Sequence, residues 1–283
     1  MPTLALPDGG AWPALGLGTW RLGEDPAQQA TETAALRLAF EIGYRLVDTA
    51  EMYGDGGAER VLGLALAQAQ RAGLAREALT IVSKAYPQHA SVDGLHKACE
   101  ASLRRLGIDQ IDLYLLHWRG GVALQQTIDG FEALQRRGWI RRWGVSNFDV
   151  GDLRDLADLP GGAACCANQV YYSLSERGVE HAVLPWQRQR AMPLMAYCPI
   201  DQGSLANHPA LRAVAGHHGV APAQVALAWV MSRPGVMAIP KAVRAEHLRQ
   251  NWAAARLVLD DTDLGHLDRV FPPPLRSQPL AMR

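Results

Sequence analysis

The sequence predicts a (β/α)8 TIM barrel preceded by an N-terminal β-hairpin. Short apolar runs alternate with stretches of helical periodicity about eight times, and repeated βα units call for a parallel sheet. The 283 residues suit one such barrel, which commonly takes ~250 residues. No composition break or linker interrupts them, so residues 1–283 are expected to form a single domain. The runner-up is an open doubly wound sheet, which would need a G-x-G-x-x-G turn after a strand. Gly16-Leu17-Gly18 continues as Thr19-Trp20-Arg21, so that motif fails.

The elements follow in order. Residues 3–6, the turn signal Asp8-Gly9-Gly10 and the residues from Ala11 onward read as the hairpin. Residues 14–20 are the first barrel strand. A helix over 27–42 is stopped by Gly43, strand 46–49 follows, and helix 58–71 ends before Gly73. Strand 79–83 ends at Lys84, and helix 91–106 lies between an N-cap at Ser91 and Gly107. Strand 111–116 ends at His117, helix 124–137 is closed by Gly138, and strand 140–145 ends at Ser146-Asn147. Helix 150–157, strand 168–172 and a partial helix over 179–190 come next, its better half starting at Pro185. Strand 194–197, helix 220–232, strand 236–239 ending at Pro240-Lys241, and helix 245–257 complete the alternation. Residues 271–283 are irregular, since Pro272-Pro273-Pro274 forbids a helix.

Composition narrows the function classes. The 28 basic and 28 acidic side chains cancel, which argues against a nucleic-acid footprint or a polybasic membrane patch. No apolar run approaches the ~18 residues needed to span a bilayer. The start of the chain lacks the basic and apolar regions of a signal peptide, and the four cysteines form no CxxC pair. Reduced thiols, a cytoplasmic location and a monomer are therefore expected. Cys198 reads as packing. His217-His218 are adjacent rather than at i,i+4, so no metal site is expected.

In a barrel, chemistry sits at the C-terminal ends of the strands. The polar residues that end apolar strands are Asp48, Lys84, His117, Ser146, Asn147 and Lys241; Gln169 lies within a strand, and Tyr53 on the loop after strand two. Singly, each has a structural reading: an ion pair for Asp48 or Lys84, core for Tyr197, a helix cap for Ser146-Asn147. Together they fit attack on a carbonyl, where negative charge grows on oxygen and a proton must be supplied. A phenol has an ordinary pKa of ~10, and an ammonium ~4 Å away favours the phenolate by about 4 kcal/mol at an effective dielectric of ~20. Lys84, held by Asp48, is expected to tune Tyr53 toward neutrality in this way, with His117 orienting the substrate oxygen.

Asp48-Thr49-Ala50-Glu51-Met52-Tyr53-Gly54, Ser83-Lys84, Asp112-Leu113-Tyr114-Leu115-Leu116-His117-Trp118, Gly144-Val145-Ser146-Asn147-Phe148, Asn168-Gln169, Tyr197 and Ile239-Pro240-Lys241 resemble the aldo-keto reductase signatures. They occur in family order and extend from Gly16 to Asn251. The chain looks most like the bacterial methylglyoxal-reductase type, through Leu115-Leu116-His117-Trp118-Arg119-Gly120 and Met237-Ala238-Ile239-Pro240-Lys241-Ala242. The resemblance implies an NADPH-dependent reductase of small carbonyl compounds, with NADH possible as an alternative cofactor. Asp48, Tyr53, Lys84 and His117 fall on the catalytic tetrad, with Tyr53 as the acid. Ser146, Asn147 and Gln169 fall on the nicotinamide carboxamide site, and Tyr197 on the ring that stacks against it. Lys241 falls on the residue meeting the adenosine 2′-phosphate, with Arg244, His247 and Asn251 completing the cofactor set. Trp20, Met52, Tyr86, Trp118 and Phe148 fall near the substrate pocket.

The sequence departs from the family pattern at Ala242, where Ser is common, at His247, where NADPH-dependent members often carry Arg, and at Arg119, where Pro is common. Arg119 is expected to place a cation at the pocket rim. Short segments after Tyr197 and after the last helix are expected to leave an open mouth. Two other functions fit the same barrel: a cofactor-sensing binding protein with slow chemistry, and a Schiff-base aldolase using Lys84 or Lys241.

Overall fold

The structure, a computed structural model, describes residues 1–6 and 9–283. A short antiparallel hairpin opens it, with β1 (Thr3–Ala5) against β2 (Ala11–Pro13) and Leu4 opposite Trp12. The expected turn falls partly on Asp8, which lies outside the described residues.

Eight parallel strands follow: β3 (Leu17–Gly18), β4 (Leu46–Asp48), β5 (Thr80–Ala85), β6 (Ile111–Leu116), β7 (Ile140–Ser146), β8 (Asn168–Tyr171), β9 (Leu194–Tyr197) and β10 (Val236–Ala238). Each pairs with the next in sequence. The first and last meet through parallel bridges, Leu15 to Ala238 and Gly18 to Lys241. There the Gly16 N–H donates to the Ala238 carbonyl at 2.9 Å and the Gly18 N–H to the Pro240 carbonyl at 3.0 Å. The sheet is thus a closed (β/α)8 barrel.

The helices are α1 (Gln29–Ile42), α2 (Gly57–Arg71), α3 (Val92–Leu106), α4 (Leu124–Arg136), α5 (Val150–Ala157), α6 (Val183–Gln189), α7 (Pro209–His218), α8 (Pro222–Met231), α9 (Ala245–Ala254) and α10 (Asp261–Val270). Local chemistry sets many ends. The Ser91 hydroxyl accepts the Gly94 N–H at the start of α3, and Gly107 closes that helix with φ 66°. Some elements differ from expectation. β5 runs on through Lys84 to Ala85, α6 begins at Val183 with Pro185 inside its first turn, and α9 stops at Ala254. Helices α7 and α10 were not expected. The first uses the His208 imidazole, outside the usual capping residues, to accept the Ala210 N–H. The second is polar overall and buries only Asp263 and Leu267, and a reciprocal Asp260–Asp263 capping box starts it.

Apolar packing divides into two shells. One lies between barrel and helices. The other fills the barrel with Leu46, Val82, Leu113, Leu115, Ala167, Met195, Met237 and Ile239, joined by Leu6 and Trp12. The hairpin therefore stoppers the barrel, and the inside is packed rather than open.

The loop after β3 touches the start of α2 backbone to backbone: a Cβ on Gly57 would lie 2.2 Å from the Gly23 carbonyl oxygen. This contact fixes the entry of α2, and with it the turn that carries Tyr53. Replacing Gly57 with Ala is expected to lower stability by about 1–3 kcal/mol, since backbone cannot swing aside as a side chain would. Urea denaturation of the variant beside the parent protein measures it.

Candidate active site

Side chains alternate along a strand, so the residue two positions beyond an inward apolar one also points inward. Leu46, Val82, Leu115, Ala167, Met195 and Ile239 face the barrel interior. Two residues further on stand Asp48, Lys84, His117, Gln169, Tyr197 and Lys241. The register that packs the interior thus delivers six polar or aromatic groups to the C-terminal ends of the strands. Tyr53 arrives from the turn after β4, where Gly54 (φ 57°) and Gly56 (φ 74°) let the chain reverse tightly.

Lys84 is the hub and is fully buried. Its Nζ donates to Asp48 Oδ2 at 2.8 Å, to the Thr49 carbonyl at 2.9 Å and to Tyr53 Oη at 3.1 Å. Three protons meet three acceptors, which fits a charged ammonium. Burial pulls the Lys84 pKa down, and the Asp48 carboxylate pushes it back up. The Tyr53 phenol is held well above its ordinary range, first by burial and then by the charge of Asp48. This corrects the expectation of a phenol tuned toward neutrality. Asp48 neutralises Lys84 at close range, so little net positive charge remains to draw the proton off the ring. Tyr53 therefore stays protonated, and Lys84 acts on it through a directed hydrogen bond.

The His117 ring meets Tyr53 edge to face, with centroids 5.8 Å apart. Burial, then the Lys84 charge, lowers its pKa from an ordinary 6.5 to about 2. The imidazole is neutral at physiological pH. Asn147 ties the end of β7 to the ends of β6 and β9. Its Nδ2 donates to the His117 carbonyl at 3.1 Å, and its Oδ1 accepts the Tyr197 hydroxyl at 2.9 Å. Its φ of 58° is one that asparagine tolerates well. The Ser146 hydroxyl donates to the Gln169 carbonyl at 2.9 Å.

These groups open onto one cavity of about 430 Å³. Of the residues singled out in the sequence, Trp20, Met52, Asp48, Tyr53, His117, Ser146, Asn147, Gln169, Tyr197, Lys241 and His247 line it. Lys84 is not among the lining residues; its Nζ lies 4.8 Å from the Tyr53 ring centroid. Tyr86 and Trp118 pack edge to face beside His117, outside the lining. Phe148 is wholly buried in the core. Arg244 is exposed at the N-cap position of α9, without a side-chain capping bond, and Asn251 is buried within that helix; neither lines the cavity. Arg119 is not at the cavity. It pairs with Asp152 at 2.6 Å and Asp155 at 2.8 Å on α5. Acidic residues on the next unit claimed this cation, and the sequence around His117 does not reveal them.

Several residues line the cavity that the sequence did not place there. Arg21, with φ 65°, lies over the Trp20 ring at 4.5 Å. As a basic residue just past the first strand, it could have been picked out by position. Cys198 lines the cavity rather than filling the core; its φ is 48°, and burial pushes its thiol pKa up. The segment 198–203 forms one wall, and Arg283 reaches it. The Arg283 backbone N–H donates to the Tyr197 hydroxyl at 3.2 Å, and its guanidinium lies 3.4 Å from Asp201. The segments are short, as expected, yet both border the mouth. Nothing in the sequence marks the contact of Arg283.

Residues 14–271 match the Aldo/keto reductase family. The chain belongs to that family. It is 49% identical over 275 residues to methylglyoxal reductase YeaE of Escherichia coli K12, covering 95% of each chain. It is 31% identical over 256 residues to methylglyoxal reductase DkgB of E. coli O157:H7, covering 89% of this chain and 91% of that one. An aldo/keto reductase from Klebsiella pneumoniae, solved in complex with NADP and acetate, superposes with a TM-score of 0.94 at 47% identity over 99% of both chains.

The depressed pKa of His117 couples to the stability of this aldo/keto reductase. Between pH 6.5 and about 2, an unfolded chain takes up a proton at residue 117 that the folded chain refuses. Stability is therefore unaffected by this group above pH 6.5 and is lost as pH falls below it, by up to about 1.4 kcal/mol per pH unit. His117→Gln is expected to show a shallower acid limb, read from urea midpoints between pH 4 and 8.

Proposed function

We propose that this chain reduces small aldehydes, ketones or dicarbonyls such as methylglyoxal to alcohols, with NADPH as the reductant and Tyr53 as the proton donor. The observation that carries this reading is the bond from Lys84 to Tyr53 Oη at 3.1 Å. With the ammonium donating to the phenol oxygen, the phenol's own proton is free to meet a ligand oxygen in the cavity.

The residues present fit a phosphorylated dinucleotide. Arg21, Lys241 and His247 line the cavity, and among the described residues none has an ion-pair partner. A guanidinium fork or an ammonium meets phosphate oxygens with more donors than an imidazole ring can offer, so Lys241 and Arg21 are the stronger anchors and His247 the weaker. Ser146, Asn147 and Gln169 present polar side chains where a carboxamide could be held, and the half-buried Tyr197 ring offers a face for a flat heterocycle. The methylglyoxal reductases named above and the K. pneumoniae enzyme solved with NADP support the same reading.

When bound, NADPH supplies a hydride to the carbonyl carbon. Neutral His117 can donate to the carbonyl oxygen and orient it without adding charge to the pocket. As alkoxide character grows, the Tyr53 O–H bond breaks and its proton passes to that oxygen, because an alkoxide is more basic than a phenolate. The phenolate left behind is stabilised by the Lys84 ammonium, and solvent returns the proton.

The parent protein is expected to turn over NADPH with methylglyoxal or short aldehydes, and with a higher kcat/KM than NADH. Tyr53→Phe is expected to cut kcat by ~10²–10⁴ while leaving NADPH affinity nearly unchanged. Steady-state cofactor oxidation and a fluorescence titration measure both. NADPH binding with no rapid turnover by the parent protein would favour the cofactor-sensing function instead.

A further inference from the structure

The two oxygens of the Asp48 carboxylate are divided between two donors. Oδ2 accepts from Lys84 Nζ at 2.8 Å, and Oδ1 accepts from Gln169 Nε2 at 2.7 Å. Both donors are buried. Gln169 stands on β8 and Asp48 on β4, four places apart in an eight-stranded barrel, so the bond spans the barrel from wall to wall. An ionised carboxylate can only accept hydrogen bonds, which settles the amide orientation: NH2 toward Asp48, Oε1 away from it. The backbone beneath Gln169 is pinned as well, its carbonyl accepting the Ser146 hydroxyl at 2.9 Å and the Asn147 N–H at 2.8 Å.

We infer that Gln169 is a positioning residue for proton transfer, holding the Asp48 carboxylate in the orientation from which Lys84 reaches Tyr53. A carboxylate gripped by Lys84 alone could rotate about its last side-chain bond and carry the ammonium with it. The second grip, from the far wall, removes that freedom. Gln169 acts on the donor through Asp48 and then Lys84, with no contact of its own to Tyr53. Its Oε1 has no partner among the described residues, and Gln169 lines the cavity. On the reading proposed above, on which this part rests, Oε1 accepts from the carboxamide NH2. One side chain then links cofactor occupancy to the alignment of the proton donor.

Two variants of similar size test this. Gln169→Met removes the grip. Gln169→Glu keeps it only while the paired carboxyls share a proton, and a carboxyl facing another holds that proton above the ordinary range. The titratable and charged groups around position 169 are Asp48, Lys84, Tyr53 and His117, with Arg21, Tyr197, Cys198, Lys241, His247 and Arg283 on the same cavity. Gln169→Met is expected to lower kcat by about 10²-fold at every pH, as misplaced catalytic groups do. Gln169→Glu should approach the parent kcat near pH 5.5 and fall about tenfold or more below it by pH 8, as the shared proton is lost. Gln169→Met with the parent kcat and only a raised cofactor KM would overturn the proposal, as would Gln169→Glu following the parent pH profile. Urea stability gives a reading independent of turnover. Gln169→Glu should lose stability as pH rises where neither the parent nor Gln169→Met does, and equal pH dependence in all three would overturn the bond's role. Failure of the parent protein to oxidise NADPH with any carbonyl would overturn the proposed function and leave that stability comparison standing.

Discussion

The ion pair between Asp48 and Lys84 is the constraint the rest of the site depends on. Taking an ammonium and a carboxylate out of water costs several kcal/mol per ion, and their attraction offsets this only when the remaining protons and lone pairs are also met. Here they are. Lys84 spends its three protons on Asp48, Thr49 and Tyr53, and Asp48 receives Gln169 on its second oxygen. The pair is thus better understood as a device for orientation than as a source of stability. It aims a charged donor at the phenol oxygen while presenting almost no net charge, so the phenol keeps its proton.

The barrel makes this pair possible. Lys84 occurs inside a strand because Val82 two residues earlier is packed inward, and the same two-residue step places Asp48 after Leu46 and Gln169 after Ala167. Apolar side chains fill the interior below, the hairpin closes one end, and the polar groups collect at the other. Beyond the strands, Glu59 on α2 accepts from the Ser83 hydroxyl and from Arg105 on α3, tying two helices to the outward face of the residue before Lys84.

Much of this was legible in the residues. The strands were recognisable because each is a short apolar run, and the site because each run ends in a polar group. What escaped were contacts between residues far apart in the chain. Arg119 reads as a free cation until Asp152 and Asp155 are folded against it. Arg283 meets Tyr197 and Asp201 only through the path of the tail. Cys198 passed for packing because a neighbour of a core residue normally turns outward or inward with the strand, whereas here the chain breaks the strand geometry with φ 48°. The phenol's acidity was misjudged for a related reason: counting the ammonium alone leaves out both the burial and the carboxylate that cancels it. Helix α7 begins on an unusual cap, and α10 is polar overall, with few apolar residues to mark it.

Replacing Lys84 with Met keeps the volume and removes the charge, so it interrogates the hub itself. With folding checked by circular dichroism and NADPH affinity by titration, single-turnover reduction of methylglyoxal is expected to slow by ~10²–10⁴ while the cofactor still binds. A folded, cofactor-binding Lys84→Met protein that reduces the carbonyl at close to the parent rate would contradict the role assigned to the buried pair.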